Sequence, residues 1–525
     1  MRKNPAYKKI ERICVGISIF LIVLIVACLM WWMLPETSAP PQIGRDDTLA
    51  ERMDLYPTGI TLGEKLPVQT LRDENGKSVD LRNYRKKTVV LMFWASWCSH
   101  CQEQMQKLEA FETVLSRYSD TELLLINKLD GTRETKEQAQ NYLKQNHISR
   151  ATLYDPDAEL YDAAGLQIIP TTVILNVDGS VGFCYPGTLK SADQLEAMLQ
   201  YVTQGAAAAT ESFITAYMME KDGGIHTQYT GGSQTVPSGS DTLSESQGLM
   251  MEYAVVTGQY PLFEKAYRYA DEQLRNRYGL FSWVRHNGQN QPHNALLDDL
   301  RIFRALADAN QLWGGYDEDL QKLGEALREY NVRNGELVDF FEDSSGRRSS
   351  RLSLAYADFE ALELLGTSYR DQVLDIVRGG YISDEFPFYY SSFDYLSRSY
   401  SQDPLNMIEA LYTVYHLAQI GEMPEATEIW LKERMAADGL RAKYTVQGEV
   451  APGSDFDSTG VYAMVGLIAQ EIGDAQLLTQ ALWRMEFTRT LNGSSPFNGA
   501  FGQSEDDIRS FDQLAPLLLY GYLER

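Results

Sequence analysis

The 525-residue sequence predicts a multidomain chain of three parts: a membrane-spanning N-terminal helix, an α/β domain with a mixed sheet, and an all-α toroid of helical hairpins. Three observations carry this. Ile13 to Leu34 is an uncharged run long enough to cross a bilayer. Thr88 to Trp94 is a buried-strand run that leads through Cys98-Ser99-His100-Cys101 into a segment of helical period. From Ala206 onward, apolar helical periods alternate with loops, and strand signals are sparse. The expected boundaries are a cytoplasmic stub and anchor at 1–34 (span 13–34), a linker at 35–57, the α/β domain at 58–205 and the toroid at 206–525.

Arg2, Lys3, Lys8, Lys9 and Arg12 all precede the apolar run, and Trp31 and Trp32 close it at interfacial depth. Basic residues stay on the cytoplasmic side, so everything after Leu34 is expected outside the cell membrane, on a single-pass anchor. A second reading stays open. Ile25-Val26-Ala27-Cys28 resembles a bacterial lipobox, which would make Cys28 a lipidated N-terminus. The linker from Pro35 is rich in proline and polar residues, without sustained periodicity. Asp and Glu total 72 against 47 Lys and Arg, a net charge of −25 that repels phosphate backbones and excludes nucleic acid as a partner.

In the second part, a Cys-x-x-Cys pair alone could be half of a zinc site. The other cysteines are Cys14, Cys28 and Cys184, and the first two lie in the apolar run, so a four-cysteine site is excluded. No metal or cofactor is expected. The order strand, Cys-x-x-Cys, helix puts Cys98 at a helix N-terminus, where backbone N–H groups favour a thiolate. Cys98 is thus the expected nucleophile and Cys101 the resolving thiol, with a protein dithiol or disulfide as partner. A cationic His100 between them would stabilise the thiolate and make the couple more oxidising. Further elements are expected as a helix over 102–118, a strand over 122–127, helices over 134–145 and 191–202, and a hairpin of 173–177 with 181–185 turned by Asp178-Gly179. Cys184 reads as a small buried hydrophobe.

Phe93-Trp94-Ala95-Ser96-Trp97-Cys98 and Ile169-Pro170-Thr171 resemble the thioredoxin superfamily, and the extended start from Leu66 resembles its membrane-anchored TlpA/ResA type. The resemblance covers roughly 58–205 and implies thiol-disulfide oxidoreductase activity. It makes Pro170 a cis-proline facing the dithiol and gives Trp97, His100 and Pro170 redox-tuning roles. Met92 departs from the pattern: soluble thioredoxins carry a buried acid there, so the base of the resolving step is left open.

In the third part the expected helices lie at 206–220, 244–257, 260–277, 293–311, 316–331, 351–365, 367–378, 388–400, 404–420, 424–437, 458–472, 474–491 and 509–522. So many helices in about 320 residues fit a closed ring of hairpins better than a bundle. Acids stand at helix starts: Glu245, the pair Asp298-Asp299, and Asp455 and Asp457 around Phe456. Each could be an ordinary cap. Together they resemble glycoside hydrolase family 8, inverting enzymes with an (α/α)6 toroid. Ser244-Glu245-Ser246-Gln247-Gly248, the Asn294 to Ala305 segment and Phe456-Asp457-Ser458-Thr459 carry that likeness. It implies Glu245 as acid, Asp299 as a ring-stabilising or catalytic residue, Asp457 as base, and a β-glucan-like polysaccharide as substrate. Three positions depart: Ser246 stands for glycine, Leu297 for the first aspartate of the pair, and Gly460 where an arginine follows the base. Two alternatives therefore stay open, a redox enzyme whose toroid only binds glycan, and one whose toroid binds a protein.

Overall fold

The computed structural model describes residues 55–229, 241–502 and 508–525, so the expected span at 13–34, the Cys28 alternative and most of the linker lie outside the described residues. No helix among the described residues is long and apolar enough to cross a membrane.

The α/β domain is built on Thr88–Trp94, whose seven residues are all buried. Alternate side chains serve two cores. Val89, Leu91 and Phe93 enter one apolar cluster, and Val90, Met92 and Trp94 enter the other. A strand buried on both faces reads as continuous hydrophobicity, which is why this run stands out in the sequence. The strands are β1 (Thr70–Arg72), β2 (Ser78–Asp80), β3 (Thr88–Trp94), β4 (Thr121–Lys128), β5 (Thr152–Asp155), β6 (Thr171–Leu175) and β7 (Val181–Pro186). They form one sheet in the order β2-β1-β5-β4-β3-β6-β7. β3 runs parallel to β4 and antiparallel to β6. The helices are α1 (Ser99–Met105), α2 (Leu108–Leu115), α3 (Lys136–Gln145), α4 (Glu159–Ala163) and α5 (Ala192–Gln204). The single helix expected over 102–118 is thus two, broken at Gln106 and Lys107, and its first turn begins at Ser99, before the expected start. Thr135 and Gln138 form a reciprocal capping box that fixes the start of α3.

The rest of the chain is a ring. Among the described residues it contains twelve helices: α6 (Ala207–Tyr217), α7 (Ser244–Val256), α8 (Tyr260–Tyr269), α9 (Leu296–Trp313), α10 (Asp317–Tyr330), α11 (Phe359–Leu365), α12 (Thr367–Gly379), α13 (Met407–Gln419), α14 (Glu425–Ala436), α15 (Thr459–Ile472), α16 (Ala475–Glu486) and α17 (Ser510–Leu523). α7, α9, α11, α13, α15 and α17 each pack on the next, and α17 packs back on α7. This closes an inner barrel of six helices, with the other six behind it, an (α/α)6 toroid. Inner helices are apolar nearly all round, as in α15, where eleven consecutive residues from Thr459 to Ala469 are buried.

One expected helix is absent. Residues 388–400 form a bent ribbon in which Ser392–Asp394 pairs with Arg351–Ser353 on one side and Ser399–Tyr400 on the other. The segment is dense in Phe and Tyr, which favour a pleated surface, and Arg398 turns the ribbon at φ 54°.

The two domains share a packed joint. α5 and α6 are separated by Gly205, whose φ of +105° and close approach to the Glu524 carboxylate admit no side chain. That carboxylate accepts the Ala207 N–H at 3.1 Å. Trp483 of α16 lies inside the apolar cluster of the α/β domain, stacked on Tyr56 with ring centroids 4.9 Å apart. Beside it the Leu62 N–H donates to the Thr479 hydroxyl at 3.1 Å. Arg489 is buried among Tyr201, Phe501 and Tyr520, donating to Glu486 at 3.2 Å and to the Ala206 carbonyl. Removing a buried tryptophan leaves a cavity spanning both domains. Trp483→Ala should cost about 3–5 kcal/mol and lower the melting of both domains together. Calorimetry that shows the α/β domain melting at its wild-type temperature in this variant would disprove a shared core.

Candidate active sites

The first site lies where β3 ends. Cys98 is the N-cap of α1, with extended backbone, and its sulfur accepts the Cys101 N–H at 3.1 Å. Its thiol also reaches the Ile169 carbonyl at 3.4 Å, immediately before the cis Ile169–Pro170 bond. The two sulfurs are unlike. Cys98 is held down to about 6 by its hydrogen bond with Cys101, against a burial effect, with help from the Cys101 N–H and His100. Cys101 is pushed up by burial first and by the neighbouring Cys98 sulfur next. One thiol is therefore an anion at neutral pH and the other a proton reserve. Trp97 is exposed, with the Arg133 guanidinium 3.6 Å above its ring. His100 is exposed on the first turn of α1. Cys184 is buried in β7 and pushed far up by that burial.

The position where soluble thioredoxins carry an acid is Met92, buried in β3. An acid from another part of the chain nevertheless lies behind the dithiol. Glu134, fully buried just before α3, accepts the Ser96 N–H at 2.9 Å, the Ser96 hydroxyl at 2.6 Å and the Asn127 amide at 2.8 Å. Its charge adds to the upward push on Cys101. Nothing in the sequence marks it, because it precedes a capping box and reads as a solvated helix start.

The second site is a cleft of about 740 Å³ at one end of the ring. Glu245, Asp298, Glu409, Asp457 and Asp512 all line it, with Trp283 and Phe456 at 44% and 56% exposure offering open aromatic faces. Glu245 is in the first turn of α7, Asp298 of α9, Glu409 of α13 and Asp512 of α17; Asp457 lies two residues before α15. Glu245 is half-buried and pushed up to about 7, by burial first and by the Asp298 charge next, with Arg301 opposing.

Asp299 is not in the cleft. It is fully buried, accepting the Phe281 N–H at 3.1 Å and the Asn294 amide at 2.7 Å, and burial pushes it up to about 8. One residue along a helix turns the side chain by about 100°, so its neighbour Asp298 faces the cleft instead. Asp455 is exposed and pairs with Arg441 at 2.7 Å. Asp457 accepts from Arg441 at 3.2 Å and from the Tyr462 hydroxyl. A guanidinium thus reaches Asp457 from sixteen residues upstream, although Gly460 supplies none. Gly460 is held to glycine by Phe511, whose ring lies 2.7 Å from where a Cβ would be. Ser246 is buried and donates to Ser510 at 3.0 Å, and Leu297 lines the cleft. Among the described residues, no group of three or more His, Cys, Asp or Glu is arranged to hold a metal.

The sheet order, the cis-proline and the dithiol at the head of α1 agree with a comparison by sequence: residues 61–199 match the Redoxin family. This part is a redoxin domain. The thiol-disulfide oxidoreductase ResA of Bacillus subtilis is 28% identical to the chain over 130 residues, 25% of this chain and 70% of that protein. The putative lipoprotein YdaJ of B. subtilis is 27% identical over 318 residues, 59% of this chain and 84% of that protein. Among solved structures, an α-amylase from Clostridium perfringens is 28% identical with a TM-score of 0.56, covering 61% of this chain and 98% of that one.

The redoxin dithiol generates a direct expectation. Alkylation of the reduced protein by iodoacetamide should follow a titration with its midpoint near 6, from the Cys98 thiolate. His100→Ala should move that midpoint upward, since a favourable charge is lost. A midpoint near the free-cysteine value of about 8.5 in the wild type would refute the assignment of Cys98 as an activated thiolate.

Proposed function

We propose that the chain is a membrane-associated extracytoplasmic protein with two separate catalytic sites, a thiol-disulfide oxidoreductase and an inverting polysaccharide hydrolase. The redox reading rests on the asymmetry between Cys98 and Cys101. The Cys98 thiolate attacks one sulfur of a partner disulfide and expels the other as a thiolate. Cys101, once deprotonated, attacks Cys98, leaving a Cys98–Cys101 disulfide and passing two electrons to the partner. The same steps run in reverse oxidise a partner dithiol.

The hydrolase reading rests on one observation, an acid held near neutrality and a guanidinium-paired carboxylate in the same cleft. Glu245 protonates the glycosidic oxygen, and Asp457 takes a proton from the water attacking the opposite face of the sugar. Trp283 and Phe456 stack on sugar rings along the cleft. Asp299 takes no part, since it ties the 281–294 loop to α9. A β-linked glucan is the first substrate to try. The named activity of the C. perfringens relative supports an α-glucan as the second. A toroid that binds glycan without cleaving it, or that binds a protein, is the alternative.

Incubation with soluble β-glucans and with amylose tests both linkages. Glu245→Gln should abolish release of reducing ends while glycan binding persists, because the amide keeps the shape and cannot donate the proton. In the wild type, kcat/KM should fall as pH rises through about 7, as Glu245 loses its proton. The anomer first released should be the inverted one. Binding without shortening of any glycan would replace the hydrolase reading with the binding one.

Membrane association draws support from the uncharged 13–34 run and from a relative described as a putative lipoprotein. Protease added to intact spheroplasts should remove both domains. A fully protected toroid would overturn this location.

A further inference from the structure

We propose that Asp298 is the positioning residue of the toroid's acid, holding the first turn of α7 from the neighbouring helix and placing a second carboxylate in the cleft that Glu245 lines; this rests on the hydrolase reading above. The first turn of α7 needs such a partner. Its N-cap position is Leu243, which has no side-chain acceptor for the free N–H groups of a helix start. Asp298, reaching across from the first turn of α9, fills that role. Its Oδ2 accepts the Ser244 hydroxyl at 2.6 Å, and the Glu245 backbone N–H helps to hold its charge. The carboxylate is anchored from behind by Arg301, 3.5 Å away and itself buried over the Tyr412 ring.

A cap alone would be a structural detail. The placement makes it more than that, because Asp298 lines the same cleft as Glu245; burial pushes Asp298 up as well, while Arg301 and the Ser244 hydroxyl favour its charged form. The groups around Glu245 are Asp298 and Arg301 on α9, Glu409 and Tyr412 on α13, Asp512 on α17, and Tyr356 before α11. Among the charges, that of Asp298 ranks first in pushing Glu245 up, behind burial alone, and Arg301 acts the other way. A general acid is most useful when its proton is held near the working pH, and a like charge in the same cleft pushes it that way. This assigns a function to the second acid of the cleft that the Leu297 position does not supply.

Two readouts separate this role from ordinary capping. The first is the pH profile of kcat/KM. Asp298→Asn keeps the shape and an acceptor oxygen but removes the charge, so the alkaline limb should move downward by about 1 pH unit. Asp298→Glu, which restores the charge, should return the limb towards its wild-type position. The second needs no substrate: the infrared carboxyl band of Glu245, identified by difference against Glu245→Gln, should titrate at lower pH in Asp298→Asn. Should that variant fail to fold, Asp298→Ser leaves a hydroxyl acceptor for the Glu245 N–H and reads the same titration.

A shift in both readouts supports the proposal. A shift in the infrared titration, with no glycan cleaved by the wild type, supports the electrostatic coupling while the hydrolase reading falls. An unmoved Glu245 titration, whether activity is kept or lost, overturns the proposal. A collapse in kcat with the limb unmoved would instead mean that Asp298 touches substrate directly.

Discussion

The toroid depends on one constraint: six inner helices that all run the same way round a closed ring. Consecutive hairpins impose that common direction, and the packing of α17 back on α7 closes the circle. Every inner helix then presents its N-terminus at the same end, where free N–H groups and aligned peptide dipoles favour negative charge. Five carboxylates from segments spread over more than 250 residues therefore gather in one cleft without any one strand or loop carrying them all. Their closeness is costly, and the ring meets that cost with Arg301 and Arg441, one from behind and one from the side.

The redoxin domain solves the opposite problem with local means. Strand, cap and helix follow one another without a gap, so Cys98 reaches its helix end directly from the centre of the sheet. The hydrogen bond between them and the deeper burial of Cys101 then split two chemically identical thiols into an anion and a proton store. Among the described residues, none before Leu243 lines the cleft, and the dithiol is not part of it.

What could be read from the sequence followed from how local each signal is. The dithiol, its strand and its cis-proline lie in short stretches whose pattern is complete in itself. The helices of the ring were legible where periodicity was strong, and the ribbon at 388–400 was missed because aromatic density mimics an apolar helical face. The acid pair was harder. Asp298 and Asp299 are adjacent, and only the phase of α9 against its neighbours decides which one faces the cleft. Arg441 and Glu134 act across 16 and 38 residues on Asp457 and Ser96, and spacing alone gives no hint of such partners. Gly460 marks a missing arginine in the sequence, while the cause, the Phe511 ring, is an arrangement of the closed ring.

The joint around Trp483 has a further consequence for how the two sites work. Domains on a supple tether sample many orientations and can pass an intermediate from one to the other. Here a tryptophan from one domain is part of the other's core, and a buried arginine is wedged among aromatic rings at the seam. Angular freedom is restricted by that packing, so the separation of Cys98 from the acidic cleft is set by the fold. Neither site can swing to meet the other. Each must draw its own reactant from the surroundings, and whatever links the two chemistries has to be a substrate large enough to reach both.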